Sequence, residues 1–211
     1  MPTLHSDTLL ALPQNVQLVV FDLDGTLYNK HLLPLRLMWA CRRSISLLAA
    51  ERKARKQLKG QYFGNEATFY SALFAEMAVQ GSTTEQCARA WYMQVYMPAM
   101  VAVLRKHYRA DAYLVSQLPL WHKQGKRLVV FSDYGEVENK LRAIGIEPST
   151  FDGLFSAPAL GGLKPAPKCL QAILQEYGIA AAKVVVIGDR PDTDGAVAAA
   201  LGVDYIFYKA K

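Results

Sequence analysis

The stretch that decides the fold is VVFDLDGTLY, residues 19–28, in which an apolar run ends in two aspartates, a glycine and a threonine. Together with the residues before it, the run reads VQLVVFDL, which is typical of a strand buried on both faces. Side chains two residues apart share one face of a strand, so Asp22 and Asp24 can project in the same direction. Gly25 then allows the backbone to turn sharply. The pattern therefore predicts two neighbouring carboxylates at the end of a buried strand.

Four further segments have strand character, and helical segments alternate with them along the chain. The predicted strands are LVVFSDY (128–134), FDGLFSA (151–157), KVVVIGD (183–189) and VDYIFYK (203–209). The predicted helices cover 111–127, 135–145, 166–178 and 193–202. A βαβα alternation favours a parallel sheet covered by helices on both sides. The predicted fold class is α/β, with a Rossmann-like parallel sheet as its core.

The middle of the chain differs, because it reads as helical and contains no clear strand. Helical apolar spacing covers 33–60, 65–81 and 83–108. We interpret residues 29–111 as an all-helical cap domain inserted after the first strand. The α/β core is then formed by residues 1–28 and 112–211, and the two connections, 29–34 and 107–111, are the predicted hinges.

The strongest strands all end in polar residues at what should be one edge of the sheet, where open parallel sheets bind their ligands. These residues are Asp22 and Asp24, then Ser132 and Asp133, then Asp189, with Asp192 and Asp194 shortly after it. Two carboxylates about 4 Å apart repel by about 4 kcal/mol at an effective dielectric near 20, so several of them require a cation. The four histidines show no metal-ligand spacing. A site of hard oxygen ligands favours Mg²⁺.

These segments resemble the four motifs of the haloacid dehalogenase-like (HAD) superfamily, in the expected order. DLDGT (22–26) matches the first motif, VVFSD (129–133) the second, GGLKPAP (161–167) the third and GDRPDTD (188–194) the fourth. The resemblance spans the whole predicted core. Family members of the first cap class carry a helical cap directly after the first motif, where this chain has its helical segment.

The resemblance implies a catalytic role for each matching position. Asp22 is the expected nucleophile, which attacks phosphorus and forms an aspartyl-phosphate. Asp24 is the expected general acid for the leaving oxygen and later the base for water. One of these carboxylates must then be ionised and the other must carry a proton. Dehalogenases of the family lack the second acid, so Asp24 favours phosphoryl transfer.

The phosphate and the metal have their own expected ligands. Ser132, the backbone N–H of Asp133 and Lys164 are expected to bind the phosphate. Thr26 could bind the phosphate or the turn of its own motif. The expected metal ligands are Asp22, the backbone carbonyl of Asp24 and Asp189. Asp194 could hold the metal through water, or it could cap the following helix.

The resemblance implies a Mg²⁺-dependent phosphatase acting on a small phosphorylated metabolite. A phosphomutase or phosphotransferase using the same intermediate is one alternative. A non-catalytic binding protein that uses its basic cap to hold a partner is another.

Three scattered cysteines, Cys41, Cys87 and Cys169, favour reduced thiols in a cytoplasmic protein. No apolar run approaches the length of a membrane span, and the start of the chain lacks the pattern of a secretory signal.

The net charge of +6 originates in the middle of the chain. Residues 29–112 hold 13 Lys and Arg against 5 Asp and Glu, whereas the rest holds 11 against 13. Seven of these cations cluster in one stretch: Arg42, Arg43, Arg52, Lys53, Arg55, Lys56 and Lys59. The stretch could be a solvated helix face, a guide for anionic substrates, or a contact with nucleic acid or an anionic membrane. The nearby aromatic residues fit helical core spacing better than a platform for stacking bases.

Overall fold

A computed structural model describes residues 12–211 and contains five strands and nine α-helices within them. The predictions for residues 1–11, including their place in the core, lie outside this range. The strands are β1 (Leu18–Phe21), β2 (Arg127–Ser132), β3 (Gly153–Ser156), β4 (Val184–Gly188) and β5 (Asp204–Phe207). They form one sheet in the order β3-β2-β1-β4-β5, and every neighbouring pair is parallel. The predicted α/β fold class is confirmed.

The first strand is central and buried on both faces, as its continuous apolar run predicted. Val19 and Phe21 pack into one layer, and Leu18 and Val20 pack into the other. All four side chains are fully buried. Full burial of such a side chain stabilises a fold by about 2 kcal/mol, so this strand anchors the sheet and fixes the position of the residues that follow it.

Four helices cover the sheet, and each follows or precedes the strand that the sequence pattern predicted. They are α6 (Ala112–Lys123), α7 (Val137–Ile144), α8 (Pro167–Tyr177) and α9 (Ala196–Ala199). The predicted helix 193–202 is shorter than expected, because a π-helical turn at Pro191–Gly195 precedes α9. Short 3₁₀ turns lie at Pro148–Thr150 and Ala181–Lys183.

The other five helices all lie between β1 and α6, in the segment that the sequence predicted to be helical. They are α1 (Leu33–Ala40), α2 (Ile45–Leu58), α3 (Glu66–Gly81), α4 (Glu85–Trp91) and α5 (Met97–His107), with a π-helical turn at Tyr92–Tyr96 between the last two. The continuous helix predicted over 33–60 is wrong. A 3₁₀ turn at Arg42–Ser44 divides it, and the Ser44 hydroxyl accepts a hydrogen bond of 2.7 Å from the Trp91 indole. The division into core and cap at residues 28 and 111 stays a prediction.

The two connections between the helical segment and the sheet run side by side. Tyr28 pairs with Ala110 in an isolated bridge, and the Asp111 N–H donates to the Leu27 carbonyl at 2.8 Å. Leu32, in the first connection, has left-handed backbone with φ of 62°. Such a conformation costs a non-glycine residue about 1 kcal/mol or more. Within residues 12–211, no helix has both the length and the apolar character that crossing a membrane requires.

Candidate active site

The carboxyl edge of the sheet brings together acidic residues from separate motifs. Asp22 follows β1, and Asp189 and Asp194 follow β4. One carboxylate oxygen from each of these three lies within 4.8 Å of the others. The Lys164 ammonium lies among them, 2.6 Å from Asp22 Oδ1 and 2.7 Å from Asp194 Oδ1. The predicted convergence of the motifs on one phosphate-sized region is therefore present.

Lys164 is held in place by the strand end beside it. Its backbone N–H donates to Asp133 Oδ1 at 2.9 Å, and its ammonium donates to the Phe131 carbonyl at 3.0 Å. Burial opposes the charged form of Lys164, but the charges of Asp22 and Asp194 raise its pKa above the ordinary value. The ammonium is thus a fixed positive charge against Asp22. The side chain of Asp133 has a positioning role that the sequence did not predict.

Asp24 has a different set of partners. The Tyr28 hydroxyl donates to Asp24 Oδ1 at 2.6 Å, and the fully buried Lys140 ammonium contacts Asp24 Oδ2. The Ser132 hydroxyl, predicted to bind phosphate, lies 3.4 Å from the same oxygen. Both carboxylate oxygens are therefore engaged by side chains that donate hydrogen bonds, which orients the group.

These surroundings shift the pKa values of Asp22 and Asp24 in opposite directions. Burial raises the pKa of Asp22 even though Lys164 attracts its charged form. Burial disfavours the charged form of Asp24 as well, but the charge of Lys140, with hydrogen bonds from Lys140 and Tyr28, lowers the pKa of Asp24 below the ordinary value. The expected roles need the reverse order, with Asp22 ionised and Asp24 carrying a proton. A cation beside Asp22 would restore its ionised form, because positive charge lowers a carboxyl pKa.

Asp189 has the features of a cation ligand. Its Oδ1 is buried and has no hydrogen-bond partner in the described part of the chain. Its Oδ2 accepts from the Lys30 ammonium at 2.7 Å, and the same ammonium donates to the Asp24 carbonyl at 2.7 Å. Gly25, with φ of 107°, makes this approach possible, because a Cβ there would lie 2.4 Å from Asp189 Oδ2. The oxygens of Asp22, Asp24 and Asp189 thus fit a hard divalent cation.

The remaining predicted residues lie close by. Thr26 is fully buried and its hydroxyl lies 3.3 Å from Asp22 Oδ2, so it contacts the predicted nucleophile. Asp194 Oδ2 accepts from the Arg190 N–H at 3.2 Å within the π-helical turn, while its Oδ1 faces Lys164. Asp192 points outward and pairs with Lys59 and Arg190. The metal and phosphate roles of all these residues stay predictions.

The sequence patterns did not single out Tyr28, Lys30 or Lys140. Lys140 had a detectable signal, because it lies on the apolar stripe of α7 between Val137 and Ile144, where a lysine is rare unless it has a buried partner. Tyr28 and Lys30 lie just after the first motif, but their partners depend on how the chain folds back on itself.

A cavity of about 330 Å³, here named the aspartate cavity, opens above Asp22 and Asp24. Helices α1 and α5 contribute an apolar wall of Leu33, Leu37 and Met100. The basic residues that line it are Lys30, Arg52 and Arg190. The cavity therefore combines an acidic floor with basic and apolar walls, which suits a small anionic ligand with an uncharged portion.

Solved structures with similar folds cover most of the chain. A predicted phosphoglycolate phosphatase from Haemophilus somnus 129PT is 19% identical, with a TM-score of 0.61 over 93% of this chain and 87% of that one. A 2-haloacid dehalogenase from Pseudomonas syringae pv. tomato DC3000 is 22% identical, with a TM-score of 0.61 over 92% and 86%. YfnB from Bacillus subtilis, described as a HAD-hydrolase bound to magnesium, is 15% identical, with a TM-score of 0.64 over 91% and 88%. At these identities the likeness shows the fold alone.

The sequence itself gives the family. No curated protein matches the chain in sequence. The family model of the haloacid dehalogenase-like hydrolases matches residues 16–202, which include all four motifs and every residue of the acidic cluster. The chain therefore belongs to the haloacid dehalogenase-like hydrolase family.

Proposed function

We propose that the protein is a cytoplasmic, Mg²⁺-dependent phosphatase that hydrolyses a small phosphorylated metabolite through an aspartyl-phosphate on Asp22. The observation that carries this proposal is the contact of the Lys164 ammonium with Asp22 inside the cluster of three carboxylates. A carboxylate nucleophile and a phosphate dianion repel each other because both are negatively charged. A fixed ammonium beside the carboxylate offsets this repulsion and so suits attack on the phosphate. The three cysteines are all free, which supports a reducing compartment.

The first half of the reaction forms the covalent intermediate. An oxygen of Asp22 attacks phosphorus, so that an oxygen–phosphorus bond forms and the ester bond to the leaving oxygen breaks. Asp24 donates to the leaving oxygen the proton that it took from water in the preceding turnover. Lys164 offsets the negative charge on the transferring group, and Ser132 and the Asp133 N–H would bind the phosphate oxygens.

The second half releases phosphate. Asp24 takes a proton from water, and the hydroxide attacks phosphorus to break its bond to Asp22. The lowered pKa of Asp24 suits this half, because the ionised form is the one that accepts a proton. The contacts with Lys140 and Tyr28 keep this carboxylate oriented through both steps.

The metal would be held by Asp22, the Asp24 carbonyl and Asp189, with Asp194 nearby. A bound Mg²⁺ supplies positive charge that offsets the repulsion among the carboxylates and stabilises charge on the phosphoryl group. The helical segment 29–111 would act as a cap whose closure excludes water from the aspartate cavity.

Asp24 also supports phosphoryl transfer over dehalogenation. A halide leaves without a proton, whereas an alkoxide leaving group needs one. The chain devotes Tyr28, Lys140 and Ser132 to this carboxylate. These contacts orient Asp24 as an acid–base group, which serves the reaction only if a proton is transferred.

The test is a screen of phosphorylated metabolites with purified protein and Mg²⁺. We expect inorganic phosphate as the product, no turnover in excess chelator, and recovery when Mg²⁺ is restored. An isomeric phosphate ester as the product would instead support a phosphomutase. Turnover that continues in excess chelator would refute metal dependence, and the absence of turnover with every ester would support a binding protein.

A further inference from the structure

A second concavity lies beside the aspartate cavity and is lined mainly by cations. This groove, here named the basic groove, has a volume of about 410 Å³. Its cations are Arg52, Arg55, Lys56, Lys59, Lys164 and Arg190, and its one carboxylate is Asp133. Arg52, Tyr134 and Arg190 line both concavities, so the two adjoin. A ligand in the aspartate cavity can therefore extend into a groove lined mainly by basic side chains.

Most of these cations already have an anionic partner. Arg55 pairs with Glu51 at 2.5 Å, and Lys164 pairs with Asp22 and Asp194. Lys59 and Arg190 share Asp192. Arg52 and Lys56 differ, because neither forms an ion pair with any residue in the described range 12–211. The Arg52 guanidinium has only a long hydrogen bond of 3.4 Å to the Pro34 carbonyl.

The two unpaired cations lie on one face of α2. Arg52 and Lys56 are four residues apart, so they are neighbours along the helix, and both face the groove. Lys53 belongs to the same basic stretch but does not line the groove. Like charges at this spacing destabilise a helix, and an anion bound between them would remove the repulsion. The basic stretch 42–59 is thus divided, with one face directed at the site.

We propose that the substrate carries a second anionic group, a phosphate or a carboxylate, which binds between Arg52 and Lys56 while its phosphate ester lies against Asp22. This inference rests on the proposed phosphatase function and defines its substrate class. An Arg and a Lys without an ion-pair partner in the described residues offer two positive charges, which match one phosphate dianion. The cations also attract such a substrate at a distance, so its advantage falls as salt rises.

The experiment compares substrates that differ only in the second group. The probes are the monophosphates and the bisphosphates of ethylene glycol, butane-1,4-diol and hexane-1,6-diol, together with the phosphate ester of 6-hydroxyhexanoate. We expect the best doubly anionic probe to exceed its monophosphate about tenfold in kcat/KM, mainly through KM. The carboxylate probe distinguishes the two chemical sources of the anion. Equal kcat/KM values within every pair would overturn the proposal.

Variants on α2 locate the effect. The measured quantity is the kcat/KM for the best doubly anionic probe divided by the kcat/KM for its monophosphate. The double substitution Arg52→Gln, Lys56→Gln should reduce this ratio about tenfold, and Lys56→Gln alone should reduce it about threefold. Lys53→Gln, on the same helix, should leave the ratio unchanged. A double variant that keeps the ratio, or a Lys53→Gln variant that loses it equally, would contradict the assignment.

A binding measurement separates this inference from the proposed function. If no ester is hydrolysed, the phosphatase proposal fails, and calorimetric binding of the same bisphosphates with Mg²⁺ still tests the groove. We then expect the double variant to bind about tenfold more weakly than the wild type and Lys53→Gln to bind equally. Equal binding by the wild type and the double variant would overturn the inference. Circular dichroism of each variant checks that it has folded.

Discussion

The floor and the roof of the aspartate cavity differ in whether their charged side chains form ion pairs. On the floor, formed by the sheet edge, four carboxylates contact an ammonium: Asp22 and Asp194 contact Lys164, Asp24 contacts Lys140, and Asp189 contacts Lys30. On the roof, which α2 forms over this cavity and the adjoining basic groove, Arg52 and Lys56 have no ion-pair partner within residues 12–211. The floor is largely buried, whereas these roof cations are exposed.

This difference indicates that the floor and the roof have different roles. Buried charges are costly unless they are paired, so the floor needs fixed partners to exist before any ligand arrives. Exposed cations on the roof cost little and remain free to bind an incoming anion. We infer that the floor carries the chemistry and the roof selects the substrate, and substitutions on the floor should therefore change kcat more than KM.

The largest effect is expected from Asp22→Asn, which removes the nucleophile but keeps its shape. Activity should fall more than about a hundredfold, because no covalent intermediate can form. The thermal unfolding midpoint should change little, because the side chain keeps its shape. Steady-state phosphate release and circular dichroism measure the two quantities. Asp204→Asn, at an exposed position on β5, is the matched control. Residual activity above about 1% would count against covalent catalysis.

A smaller effect is expected from Lys140→Met, which removes the ammonium from Asp24. Loss of this contact should raise the pKa of Asp24, so that less of the ionised carboxylate is present to take a proton from water, and hydrolysis of the aspartyl-phosphate should slow and kcat fall about tenfold. Rapid-quench kinetics should then show a burst of the alcohol product before the steady state. Arg142→Gln, on the exposed face of the same helix, should give neither change. A fall in kcat without a burst would place the role of Lys140 elsewhere.

The smallest effect is expected from Lys30→Met. The Lys30 ammonium contacts two of the three groups expected to bind Mg²⁺, so it should compete with the cation. Its removal should lower the Mg²⁺ concentration for half-maximal activity about threefold, in keeping with a partly exposed ion pair. Titration calorimetry with Mg²⁺ checks the affinity directly, with Lys209→Met as an exposed control. An unchanged or higher Mg²⁺ requirement would show that Lys30 does not compete.

The fold was predictable where the information was local. Continuous apolar runs marked β1, β2 and β4, because a strand buried on both faces needs apolar side chains at every position. The division of the predicted helix 33–60 was not predictable, because residues 41–44 contain no glycine or proline. The hydrogen bond between Trp91 and Ser44 joins residues far apart in sequence, and no local pattern signals it.

The site was predictable to the same extent. The motifs brought Asp22, Asp189 and Lys164 together because the carboxyl ends of parallel strands share one edge. The partners of Asp24 were missed, because Lys140 reaches it from a separate helix and only its place on an apolar stripe signalled burial. The pKa order of Asp22 and Asp24 was also unforeseen, since burial outweighs the charge of Lys164 at Asp22, whereas Lys140 and Tyr28 outweigh burial at Asp24.

The identity of the phosphorylated residue tests the central claim most directly. The enzyme would be quenched in acid during turnover of a phosphate ester with Mg²⁺ and then digested for mass spectrometry. We predict one added phosphoryl group on the peptide that contains residues 19–28, located on Asp22 and lost in Asp22→Asn. Phosphorylation of a different residue, or undiminished phosphate release by Asp22→Asn, would contradict it.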